Sequence, residues 1–130
     1  MEFVDMTPYS TEGKGASRFR VGWLGRNKPF TTGAISDRQL ECLRDLCRRP
    51  VRLHKGHHPC DLCTRAARRM PLRVDGSYGP PFLGNGEIHV TDREGATYVA
   101  PALIYHYVRD HSYLPPERFL MALEDACNPS

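Results

Sequence analysis

No stretch of the chain approaches the roughly 20 consecutive apolar residues that a membrane-spanning helix needs. The first ten residues include two acidic side chains, Glu2 and Asp5, and they lack an apolar core. Secretion signals need such a core, so the N-terminus does not have the character of one. We therefore expect a cytoplasmic protein that has no contact with a membrane.

The sequence also lacks an even number of cysteines, since it contains five. An odd count without a secretion signal argues against a disulfide framework. Cys42 and Cys47 fall on or beside the apolar stripe of a predicted helix, where thiols usually act as small buried apolar groups. The close pair Cys60 and Cys63 is then expected to bind a metal or to be redox-active.

Apolar residues are somewhat scarce at 40%, whereas glycine and proline each occur 11 times in the 130 residues. This composition predicts one domain that is rich in loops. Residues 1–17 combine Gly, Ser, Thr and charges and are expected to form a flexible N-terminal arm. Residues 18–130 are expected to form a single zinc-stabilised domain, since a core of this size often needs a bound metal or another crosslink for stability.

The clearest element is a helix that begins after Ser36. Ser36 and Gln39 fit a capping box, and leucines recur at helical spacing until Pro50 ends the pattern near Arg49. Cys47 closes the apolar stripe. Two short strands are predicted on either side of this helix, over residues 19–24 and 50–54.

The second half of the chain predicts a β-hairpin and two further helices. Residues 87–91 and 96–100 flank a turn with Gly95 and read as a hairpin, in which Ile88 and Val90 share one face. Pro101 is expected at the first position of a buried helix. A last helix follows Pro116, and its predicted core stripe is Phe119, Leu120, Leu123 and Ala126.

The pair Cys60 and Cys63 has the C-x2-C spacing of a zinc knuckle, which lets two thiolates face one ion across a tight turn. The alternative is a thioredoxin-type redox pair, which needs a βαβ context and a helix that starts at the first cysteine. Here Pro59 precedes the pair and histidines crowd the approach to it. The pattern therefore favours one structural Zn²⁺.

The remaining ligands are expected among three histidines, and the sequence leaves the choice open. His106 and His111 have the H-x4-H spacing that closes two-cysteine sites. His58, two residues before Cys60, is the rival, and His54 and His57 are weaker candidates. A Cys2His2 site is neutral with Zn²⁺ bound, which lowers the cost of burial.

A knuckle, a hairpin and a histidine-bearing helix thus follow one another along the chain. That order is typical of a treble-clef-like arrangement, in which the ion ties the knuckle to the helix. The sequence therefore predicts a small α+β domain with a zinc knuckle, a β-hairpin and about three helices.

Enzyme motifs are mostly absent. Zinc deaminases combine H-x-E with P-C-x-x-C, and no H-x-E precedes Pro59. A ββα-type metal nuclease could use His89 as a general base, but otherwise this histidine is expected to be exposed or hydrogen-bonded. A hydrolase could use Glu87 on zinc-bound water, although a solvent-exposed carboxylate at the start of a strand is favoured. These residues leave catalysis as an alternative, and absence of catalysis is the preferred interpretation.

Acidic residues are in the minority in the first part of the chain, and basic residues are in the minority in the second part. Residues 1–74 have a net charge of +8, and residues 75–130 have a net charge of −5. The positive charge is concentrated in segment 44–73, which can bind nucleic-acid phosphates or remain a solvated surface that pairs with the acidic half. The candidate nucleic-acid-binding residues are Arg48, Arg49, Arg52, Lys55, Arg65, Arg68 and Arg69.

Several segments resemble a family of uncharacterised small bacterial proteins. They include VGWL, PFTTG, GHHPCDLC and GNGEI, followed by YVAPALI running on through the HYV, His111, Tyr113 and Pro115–Pro116 positions. Together they span most of residues 20–125. The resemblance implies a stand-alone small domain in which His58, Cys60, Cys63, His106 and His111 all match motif positions. It implies no known activity.

The preferred interpretation is therefore a non-catalytic zinc-stabilised domain that acts through contact with a protein partner, as a regulator or an immunity-type protein. The alternatives are a nucleic-acid-binding zinc module and a metal-dependent hydrolase or nuclease.

Overall fold

The structure is a computed structural model that describes residues 4–8, 18–26, 29–53, 60–63 and 86–127. Three helices and four strands occur in this part of the chain, which confirms the α+β class. In chain order they are β1 (Arg18–Arg20), α1 (Asp37–Cys47), β2 (Arg52–Leu53), β3 (Gly86–Thr91), β4 (Thr97–Pro101), α2 (Ile104–His111) and α3 (Glu117–Cys127).

The four strands form one mixed sheet in the order β1-β4-β3-β2. Strands β3 and β4 are the predicted hairpin and pair antiparallel. Its turn is stabilised by Asp92, whose side chain accepts hydrogen bonds from the backbone N–H groups of Glu94 and Ala96, each at 2.9 Å. Gly95 has a φ of +92°, which only glycine adopts at low cost. Strand β1 pairs parallel to β4, so an early segment lies beside a late one.

Within the predicted N-terminal arm, residues 4–8 lie beside β1. The N–H of Arg20 donates to the carbonyl of Thr7 at 2.8 Å. The carboxylate of Asp5 accepts hydrogen bonds from the Gly22 N–H at 2.9 Å and from the Tyr113 hydroxyl at 2.6 Å. These contacts connect the start of the described chain to the loop between α2 and α3. The division into an arm and a domain stays a prediction.

The helices cover one face of the sheet and form the core with it. Ser36 and Gln39 make the predicted capping box at the start of α1, which ends at Cys47. The aromatic ring of Tyr98 on β4 meets that of Phe119 on α3 edge-on, with the ring centres 6.3 Å apart. The predicted burial of α2 is confirmed for its residues 104–108, whereas Asp110 in its last turn is exposed. The core therefore lies between the sheet and the three helices.

Cys42 is buried as expected, but the argument against disulfides is wrong for this residue, because a disulfide joins it to Cys127 at the end of α3. The two Cα atoms lie 6.0 Å apart, within the range that disulfides span. Local sequence gave no sign of this pairing, since the cysteines are 85 residues apart. Cys47 is free and buried, as expected.

Two predicted positions in the second half of the chain are also wrong. Pro101 is the last residue of β4, where it pairs with Glu87, and α2 begins only at Ile104. Proline is accepted there because a strand end does not need its missing N–H. Ala126 is exposed in the last turn of α3, and Ala122 takes its place in the core. Residues 64–70, whose sequence is compatible with a turn or a short helix, lie outside the described residues, as does nearly all of the glycine-rich stretch 76–86, whose sequence predicts a loop.

The described helices contain at most 11 residues each. A helix that crosses a membrane needs about 20 apolar residues. None of the helices in the described part of the chain is long and apolar enough to do so.

Candidate metal centre

Four side chains from two distant parts of the chain converge on one point beside α2. Cys60 and Cys63 lie on a short turn, whose backbone is fixed where the Arg26 side chain donates to the Asp61 carbonyl at 2.6 Å. His106 and His111 come from the first and last turns of α2. Their four donor atoms all lie within 4.8 Å of one another. The β3–β4 hairpin lies between the cysteine pair and the histidine pair in the sequence, and it reverses the direction of the chain so that the two pairs meet.

The distances between the donor atoms resemble the edges of a tetrahedron. The sulfur of Cys63 lies 3.0 Å from Nε2 of His106 and 3.4 Å from Nε2 of His111. The sulfur of Cys60 lies 3.4 Å from Nε2 of His111, and the two Nε2 atoms are 3.2 Å apart. Around a zinc ion, tetrahedral angles place sulfur and nitrogen about 3.6 Å apart and two nitrogens about 3.3 Å apart. The four residues can therefore hold one metal ion.

Burial in this cluster opposes charge on the groups unless a cation is bound. Cys60 is 2% exposed, and this burial raises the pKa of its thiol to about 12. Burial also lowers the pKa of His106 and of His111, so both imidazoles stay neutral and keep a nitrogen lone pair for a metal. A bound cation would stabilise the thiolates, which are the sulfur form that binds metals.

A carboxylate outside the cluster orients one of its histidines. Nδ1 of His106 lies 2.7 Å from Oδ2 of Asp110, one helical turn further along α2. The Arg109 side chain donates to both carboxylate oxygens and lowers the pKa of Asp110, so this carboxylate is ionised and can only accept. The proton therefore lies on Nδ1, and Nε2 of His106 is left free to bind an ion.

Sequence reasoning missed this role of Asp110, although a usable signal was present. The aspartate stands four residues after His106, the spacing at which side chains meet on a helix. Arg109 itself lies over the Tyr105 ring, with the guanidinium carbon 5.3 Å from the ring centre. The histidine, the carboxylate and the guanidinium therefore form a connected set on α2.

Of the five predicted metal ligands, the structure brings Cys60, Cys63, His106 and His111 together. His58 lies outside the described residues, as do His54 and His57. The cluster is the one group of three or more potential ligands found among the described residues. Its sulfur and imidazole donors are typical of tetrahedral zinc sites.

Glu87 lies elsewhere, on β3, and its predicted exposure to solvent is wrong because only 1% of it is exposed. Its carboxylate oxygen lies 3.2 Å from Nε2 of His89, which is half-buried. The hydrogen-bonded state expected for His89 is therefore confirmed. The strand has both faces covered here, so alternation of apolar and polar residues did not predict burial.

The predicted nucleic-acid-binding residues are described only in part. Arg48 and Arg49 are exposed just after α1, and the Arg48 guanidinium lies 3.6 Å from the Asp45 carboxylate. Arg52 is in β2. Lys55, Arg65, Arg68 and Arg69 lie outside the described residues, so a nucleic-acid interface stays a prediction.

Comparison with known proteins gives one match. No curated protein and no solved structure matches the chain. A sequence model of one family matches residues 1–124, which include the two cysteines and the two histidines of the cluster. The chain therefore belongs to the family described as Domain of unknown function (DUF7919).

Proposed function

We propose that the protein is a domain stabilised by one structural Zn²⁺ and that it acts through contact with another protein, without catalysis of its own. The observation that carries the zinc proposal is the convergence of Cys60, Cys63, His106 and His111. Two thiolates neutralise the charge of Zn²⁺, which lowers the free-energy cost of burying the ion. The ion would tie the cysteine turn to α2 across 43 residues.

Two features support a non-catalytic role. Four protein donors complete a tetrahedral shell, and a complete shell is typical of structural rather than catalytic zinc. Glu87, the carboxylate that would have served a hydrolase, is hydrogen-bonded to His89 and is not part of the cluster.

The opposite net charges of residues 1–74 and 75–130, +8 and −5, favour an oriented encounter with a charged partner.

Elemental analysis of the untagged protein tests the metal. We expect one zinc per chain in the wild-type protein and its loss in Cys60→Ser and His106→Ala. The matched control is His89→Gln, which removes a half-buried histidine that also contacts a carboxylate but lies outside the cluster. Wild-type protein that contains no zinc, or loss of zinc in the control, would contradict the proposal.

Affinity isolation tests the partner. Immobilised zinc-loaded protein is compared with Cys60→Ser in extracts of the cells that produce it, after nuclease treatment. We expect one protein to be enriched in stoichiometric amount on the loaded protein alone, and to bind again after purification. Retention of DNA or RNA that falls steeply with salt would favour the nucleic-acid alternative instead. Hydrolysis of a test substrate by the loaded protein would favour the enzyme alternative.

A further inference from the structure

The four donors of the metal centre are not held equally. His106 is 4% exposed, and its Nδ1 is hydrogen-bonded to the Asp110 carboxylate. Cys60 is 2% exposed. His111, in contrast, is half-buried, and its Nδ1 makes no hydrogen bond to any described residue. Carboxylate partners of metal-bound histidines commonly raise metal affinity about 10- to 100-fold. None of the described residues gives His111 such support.

The position of His111 in the chain adds to this difference. It is the last residue of α2, and the next residue, Ser112, leaves the helix with a left-handed backbone at φ +55°. His106 lies in the first turn of the same helix, two residues after its start at Ile104. A rotation of the His111 side chain away from the centre would therefore require no change in the helix that presents the other histidine.

Without His111, the remaining donors form a chemically familiar set. Two thiolates and one oriented imidazole, from Cys60, Cys63 and His106, are the protein ligands of zinc sites that leave a fourth position for water or a substrate. Such a site prefers soft donors. Because two thiolates already neutralise a divalent ion, the fourth position carries no strong preference for an anion of high charge.

We propose that His111 is an exchangeable ligand and that a small external thiolate can replace it on the metal. The inference rests on the proposed metal site, and it adds to that site a binding position for small sulfur compounds. In the exchange, the metal–Nε2 bond to His111 breaks and a metal–sulfur bond forms. The thiol proton passes to solvent or to the released imidazole, and no electron is transferred.

Cobalt-loaded protein provides the test, because Co²⁺ occupies tetrahedral zinc sites and its absorption reports the donor set. A monothiol, 2-mercaptoethanol, is titrated into the wild-type protein. We expect the sulfur-to-cobalt charge-transfer band to gain intensity as a third thiolate binds, while cobalt stays with the protein on gel filtration. An unchanged spectrum at a large excess of thiol, or release of the cobalt, would overturn the proposal.

Two variants provide an independent measurement. His111→Ala is expected to keep one cobalt per chain, with a loss of affinity at least about tenfold smaller than that of His106→Ala, the matched control with the supported histidine. Added imidazole should restore the wild-type spectrum of His111→Ala. Equal loss of metal in both variants would overturn the proposal. Wild-type protein that takes up no cobalt or zinc would instead refute the metal site itself.

Discussion

The bond between Cys42 and Cys127 makes a prediction about stability whose size follows from the chain. It closes a loop of 85 residues. The loop-closure model gives about 4.5 kcal/mol of stabilisation for a loop of that length, and measured values are typically about 2–4 kcal/mol. Cys127→Ser removes the bond and places a hydroxyl at an exposed position. We therefore expect the free energy of unfolding to fall by about 3–4 kcal/mol.

Urea denaturation of the metal-loaded, oxidised protein measures this loss. The dependence of the free energy on urea should become steeper in the variant, because an unfolded chain without the crosslink exposes more surface. Wild-type protein treated with a phosphine reductant is the matched control and should be as unstable as Cys127→Ser. A variant within about 0.5 kcal/mol of the oxidised wild type would refute the reasoning.

A Cys42–Cys127 disulfide that is present in protein isolated without added oxidant would argue against the expected cytoplasmic location.

Three further outcomes are expected. Asp110→Asn should weaken zinc binding about 10- to 100-fold in a competition titration with a chelator, and unchanged affinity would contradict its role in orienting the metal-bound histidine. Gly22→Ala should destabilise the protein by more than Gly95→Ala in thermal unfolding, because both have positive φ but only a Cβ at Gly22 would meet Ile104, at 2.9 Å. Cys47 should resist alkylation in the native protein after chelation, since burial raises its pKa to about 12, whereas the half-buried Cys63 of the metal centre should react; mass mapping that finds rapid labelling at Cys47 would contradict its burial.

Local signals in the sequence were sufficient for much of the fold. The capping box at Ser36 and Gln39 fixes the start of α1, and the turn at Gly95 fixes the hairpin. Each is determined by contacts between residues a few positions apart, which is why the sequence displays them. The end of β4 at Pro101 was missed, because proline is equally acceptable at a strand end and in a first helical turn.

Long-range features were harder to predict, for a common reason. The partner of Cys42 depends on which helices pack together, and spacing along the chain carries no such information. The burial of Glu87 depends on both faces of the sheet being covered. The metal cluster was easier to predict, because C-x2-C and H-x4-H spacings each reflect local geometry. What the sequence could not supply was the choice among histidines, which needs the position of α2 relative to the cysteine turn.

The parallel pairing of β1 with β4 also determines when the protein can fold during its synthesis. Arg18 pairs with Thr97, and Asp5 bonds to Tyr113, 108 residues further on. A ribosome-bound chain that ends before these late residues therefore lacks the neighbours of its own first strand. Contacts of such long sequence separation make folding slow and leave apolar segments exposed meanwhile. The segments around Asp5 and β1 consequently stay without these partners until residues 97–113 have emerged from the ribosome.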